Sequence, residues 1–193
     1  MIKRIFIYFL IFFVGSLFIQ TKAISYSSNP ESFISEVIDE AKIILSSSSS
    51  SDEKANKLSE IALKTVDVKG LAYYTLGKKR KEITPEELKK YESLFEKYFL
   101  KSFTSRLTDY SDPKINVLSS DVVNEKYTIV KTMLLKTDKR PEVKIDWRVY
   151  TKDPNNPLIR DLIIEGLSLA RTQKEEFASV LNTNNNDINA LFS

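Results

Sequence analysis

The chain has 193 residues, 42% hydrophobic and 28% charged, enough for one globular domain with a sizeable core. It contains no cysteine and no histidine. Disulfides, thiolate metal sites, cysteine nucleophiles and the commonest general base are therefore excluded, which leaves any chemistry to carboxylates, lysines, tyrosines or serines.

Residues 1–23 form a separate object. Lys3 and Arg4 precede an uncharged apolar run from Ile5 to Ile19, and Gln20, Thr21, Lys22 and Ala23 follow. A basic start, a short apolar run and a small residue make the pattern of a secretory signal peptide, expected to be cut near Ala23. The alternative is an uncleaved anchor, although the run is shorter than the roughly 20 residues that span a bilayer. No cysteine follows it, so a lipid-modified anchor is excluded. Of the 29 basic residues three lie in this segment, and none of the 26 acidic ones does. The expected mature chain, 24–193, thus carries 26 of each, and the formal charge of +3 gives no reason to expect nucleic acid.

Residues 29–45 place Phe33, Val37, Ile38, Ala41, Ile44 and Leu45 on one helical stripe. The serine run 46–51 reads as a solvated connection. Ser50 and Glu53 have capping-box spacing and open a second helix with Leu58, Ile61 and Ala62 inward. A third helix is predicted over 66–79, capped by Asp67 and ended by Gly77, with Gly70 inside it. The clearest helix is 83–110: Thr84 caps it, Pro85 takes the first position and Glu87 completes the box. Its apolar side is rich in large rings, including Tyr91, Phe95, Tyr98, Phe99 and Phe103.

After Pro113 the pattern turns to strands. Residues 115–120 form a short one, and 125–136 a longer one that is apolar on both faces. Residues 142–150 alternate, with Val143, Ile145, Trp147 and Val149 on one face. Segments 137–140 and 152–157 are turns, and 158–170 is the last strand. In that strand Gly166 permits a bend or leaves room in a cavity, and Glu165 points to the opposite face. Thr172 and Glu175 then open a helix with Phe177, Val180 and Leu181 inward, and 187–192 forms a short last helix. The expected fold class is α+β: N-terminal helices packed on a curved antiparallel sheet of about four strands, with a short helical end. Such layers close on a core or leave a cavity between them.

Signals for catalysis are weak. Outside the leader the chain has three glycines and no phosphate-binding glycine loop, and Ser168 lacks the surroundings of a nucleophile elbow. Asp161 and Glu165, four apart on one strand, stand about 13 Å apart, wide for a shared catalytic pair. The clusters KKRK (78–81) and KTDKR (136–140) read as solubilising surface or as segments that touch lipid headgroups.

Several features together resemble the MlaC family of periplasmic phospholipid-binding proteins, also described as a toluene-tolerance family. They are Leu76-Gly77 before the Thr84-Pro85-Glu86 helix start, Asp161 ahead of Glu165-Gly166-x-Ser168, and Phe177 in the helix beyond. The resemblance spans essentially the whole mature chain. Pro157-Leu158 stand where that family often has a tryptophan. The resemblance implies a soluble, monomeric periplasmic shuttle without cofactor, metal or catalytic residues. It would pass phospholipid between an inner-membrane ABC transporter with an MCE-domain subunit and an outer-membrane lipoprotein complex. Acyl chains would enter an apolar cavity between helices and sheet. The expected lining is Val68, Leu71, Leu76, Tyr98, Phe99, Phe103, Val130, Leu134, Val143, Ile145, Trp147, Val149, Ile164 and Gly166. A cavity-containing periplasmic enzyme of similar shape using Asp161 or another carboxylate, or a structural adaptor, remain the alternative classes.

Overall fold

The computed structural model describes residues 25–108, 110–138 and 140–192; the proposed leader lies outside them. Its helices start where the capping side chains stand. Asn29 accepts the Ser32 amide ahead of α1 (Pro30–Ser46), and the reciprocal Ser50/Glu53 box opens α2 (Ser51–Thr65). Ser46 ends α1 and Ser51 starts α2, so residues 47–50 form the connection between them. Asp67 caps α3 (Val68–Leu76) by accepting the Gly70 amide at 2.8 Å. Gly77, with φ 55°, ends that helix, and a 3₁₀ turn over Gly77–Lys81 follows. The Thr84/Glu87 box and Pro85 open α4 (Pro85–Leu107).

The sheet is antiparallel, in the order β1 (Ile115–Asn124), β2 (Tyr127–Leu134), β3 (Val143–Tyr150), β4 (Leu158–Ile164), β5 (Leu167–Ser168). β1 runs past the expected 120 because pairing with β2 carries it through Asp121–Asn124. Glu125 and Lys126, expected in the second strand, form a turn instead. Bulges interrupt β1 and the β3–β4 ladder.

The end of the sheet differs most from the sequence reading. Glu165 and Gly166 have φ of 49° and 83°, the two positive values a tight hairpin loop needs, so the chain reverses there instead of bending within a strand. The Glu165 carboxylate accepts the Lys144 amide and does not project from a strand face. Helix α5 (Leu169–Thr183) starts three residues before the expected Thr172 cap. Ser168 Oγ accepts the Arg171 amide at 3.1 Å and Asp161 Oδ1 accepts the Ala170 amide at 3.0 Å, so the first turn is satisfied earlier. In α5 Leu181 is buried and Phe177 half-buried, while Val180 is exposed rather than inward.

Two apolar clusters hold the layers. Phe33, Ile34, Val37 and Ile38 of α1, with Ile61 of α2, meet Val130, Val149 and Ile159 of the sheet. Fully burying side chains of this size stabilises by about 1.5–3 kcal/mol each. Val68, Ala72 and Leu76 of α3 meet Tyr91 and Phe95 of α4 and Ile188 near the C-terminus, with Phe177 of α5 edge-on to Phe95 at 6.3 Å. Asp67 ties the two halves: its amide donates to Ile159 O at 3.0 Å, and its Oδ2 accepts Arg160 Nε at 2.6 Å.

Candidate functional site

The antiparallel register decides which residues share a face. Leu134 pairs with Val143, Thr132 with Ile145, Val130 with Trp147 and Thr128 with Val149. Across the next ladder Ile145 pairs with Ile164, Trp147 with Leu162 and Val149 with Ile159. The side-chain period of two puts all of these on the face toward α1. Sequence alone could not fix the inward set of β2, whose apolar residues occur on both faces.

Burial along that face is uneven. Val130 and Val149 are 0% exposed and Ile159 is 4% exposed. Trp147 and Leu162 border this cluster and are half-buried. Leu134, Val143, Ile145 and Ile164 continue the face beyond the cluster and are also half-buried. The sheet therefore presents a contiguous apolar wall, six residues on three strands, that the helices cover only in part. Two polar groups within it are satisfied internally: Trp147 Nε1 donates to Thr132 Oγ1 at 2.9 Å, and that hydroxyl donates to Ile145 O at 2.9 Å. Leu162 was absent from the expected lining, although its parity with Ile164 gave the signal.

The helical candidates lie elsewhere in the layer. Val68 and Leu76 are buried in the helical cluster. Phe99 packs against that cluster, stacks on Phe95 at 6.4 Å and on Phe103 at 5.8 Å, and both Phe99 and Phe103 are half-buried. Tyr98 is 44% exposed and its hydroxyl donates to Gln173 Oε1 at 2.7 Å. Leu71 borders the helical cluster and lines a cleft described below. Gly166 sits at the exposed β4–β5 turn.

The carboxylate considered for catalysis is occupied. Asp161 is 5% exposed; Oδ2 accepts the Ser168 hydroxyl at 2.6 Å and Oδ1 the Ala170 amide. This arrangement anchors the start of α5 on β4. Among the described residues no group of acidic side chains could hold a metal ion, and no helix is long and apolar enough to cross a membrane.

Fold and site thus define an α+β protein with helices on an antiparallel sheet and an apolar sheet wall left partly open. The family model described as MlaC protein matches residues 34–193, and the chain belongs to that family. Among solved structures it is similar to the phospholipid-binding protein from Ralstonia solanacearum, determined with a bound phospholipid. The two share 17% identity and a TM-score of 0.70, over 82% of this chain and 89% of that one.

Proposed function

We propose that the protein is a phospholipid carrier that shields acyl chains against the apolar wall of Leu134, Val143, Ile145, Trp147, Leu162 and Ile164. Phe99 and Phe103 supply apolar surface from the helical side, and the headgroup stays outside. Val130 and Val149, already packed under α1, close the floor beside the contact surface, and Val68 and Leu76 hold the helical cluster together. The half-buried wall carries this reading, because a contiguous apolar surface of a water-exposed protein marks a binding face. Membership of the MlaC family and the ligand of the Ralstonia relative support the choice of phospholipid.

Transfer energetics then set the mechanism. Each methylene moved into water costs about 0.8 kcal/mol, so two chains with ~30 methylenes would cost on the order of 20 kcal/mol. A carrier that matches bilayer burial holds lipid securely and gains little net affinity over the membrane. Direction would come from partner complexes: an inner-membrane ABC transporter with an MCE-domain subunit and an outer-membrane lipoprotein complex. On this reading the protein works in the periplasm after cleavage near Ala23, as a binding protein and not an enzyme. Its role would be in outer-membrane lipid asymmetry.

Native mass spectrometry of the exported protein tests the reading. The expected spectrum shows the chain with a phospholipid mass attached. An empty chain that also fails to take up phospholipid from vesicles would overturn it.

A further inference from the structure

Opposite the apolar wall, the other sheet face carries a cleft of about 700 Å³ between α3, the start of α5 and the β1–β2 turn. This volume is in the range of small-molecule sites. Its lining includes Arg80, Arg148, Arg160 and Lys174, against the single carboxylate Asp161. Asp161 spends both oxygens on Ser168 and Ala170, and Arg148 reaches it only at 3.8 Å. Arg160 is fixed by Asp67, by the Tyr127 hydroxyl at 3.0 Å and by the Tyr150 ring 3.7 Å away. Arg80 and Lys174 rest over the rings of Tyr73 and Tyr74 at 5.0 and 4.9 Å, and neither has a carboxylate in ion-pair range among the described residues. Ring contacts of this kind leave N–H donors free. Glu92, which accepts the Tyr73 hydroxyl, is itself paired with Lys69 at 3.3 Å.

The backbone is shaped to gather these charges. Neighbours along a strand point to opposite faces. Here Arg148 pairs with Asp161 and Val149 with Ile159, so Arg160 is the extra residue of a bulge, and Arg160 and Asp161 both line the cleft. Even with Asp67 and Asp161 counted, the four cations leave an excess of two positive charges.

We propose that this cleft binds a phosphate group carried on a small organic body. Guanidinium forks suit phosphate oxygens, and the Tyr74 side chain, 44% exposed, offers apolar surface and a hydroxyl to the rest of the ligand. The phosphate comes from a phospholipid headgroup or from a free water-soluble phosphate ester. The site is separate from the apolar wall and does not depend on the carrier reading.

Titration calorimetry of the mature chain tests this with two probes, glycerol 3-phosphate and dihexanoyl phosphatidylglycerol below its micelle concentration. The variants are Arg80→Gln and Lys174→Gln, singly and together, because neither side chain holds an ion pair in the fold. Lys57→Gln/Lys64→Gln on α2 removes the same charge elsewhere. Binding weakened about tenfold or more by the double cleft variant, and unchanged by the α2 control, supports the site. If glycerol 3-phosphate shows this pattern the ligand is a free ester; if only the short-chain lipid does, it is a headgroup. Each single variant should lose part of the affinity, which keeps the test open should the double variant fold poorly. Absence of binding by both probes, or equal losses in cleft and control variants, would overturn the proposal.

Discussion

The Ser168 hydroxyl donates to Asp161 at 2.6 Å while accepting the Arg171 amide at 3.1 Å, so one side chain joins β4 to the first turn of α5. The carboxylate also takes the Ala170 amide, which places a negative group at a helix N-terminus. Asp161→Ala leaves a half-buried hydroxyl and an amide without their acceptor. The expected loss is about 3 kcal/mol by urea denaturation, with a smaller loss for Asp161→Asn, which keeps one acceptor. A loss below about 1 kcal/mol for the alanine variant would show that this anchor is dispensable.

Two glycines separate backbone strain from collision. A methyl added at Gly166 meets nothing within 4 Å, so Gly166→Ala costs only the positive φ of 83°, about 1 kcal/mol. A methyl at Gly70 would overlap the Asp67 carboxylate, which caps α3 and holds Arg160. Gly70→Ala should therefore cost more, about 2 kcal/mol or above, despite the better helix propensity of alanine. Thermal or chemical denaturation of both variants gives the order directly, and the reverse order would contradict the arrangement.

Burial raises the Tyr91 phenol above its ordinary 10.0, with the Thr75 bond opposing and Tyr98 adding to the rise. A raised phenol favours the neutral form in the folded state. Its contribution is fully present below pH 10.0 and is lost as pH climbs above that value. Stability measured between pH 9 and 11 should fall, and Tyr91→Phe should fall less steeply from a lower starting value, having lost the Thr75 bond. Parallel curves for the two proteins would refute the assignment.

Much of this architecture is legible in the sequence because its signals are local. The Ser50/Glu53 and Thr84/Glu87 boxes, Asp67 and Gly77 mark helix ends through bonds that span three or four residues. The β3 alternation fixes Val143, Ile145, Trp147 and Val149 on one face. What was missed depends on tertiary contacts. The start of α5 is set by Asp161, seven residues from its serine cap, and outweighs the local Thr172/Glu175 box. The Glu165–Gly166 reversal was masked by apolar residues on both sides that read as one strand. The cleft cations come from the 3₁₀ turn, two strands and a helix, and no sequence spacing joins them.

Trp147 is the one tryptophan of the chain, and its ring stands in the proposed lipid wall. Stripping lipid with detergent should shift its emission toward longer wavelength, and phospholipid added back should reverse the shift. Emission indifferent to lipid would remove Trp147 from the contact surface.

The central claim is tested most directly by phospholipid retained on Ile145→Asp relative to the unaltered protein, measured by lipid extraction and mass spectrometry. Ile145 is half-buried and lies beyond the packed cluster, so a carboxylate there can be hydrated when lipid is absent. In a closed core the same change would cost several kcal/mol and unfold the protein. The account predicts a folded variant, with native circular dichroism, that comes out empty while the unaltered protein carries phospholipid. A folded variant that retains phospholipid at the unaltered level would contradict it.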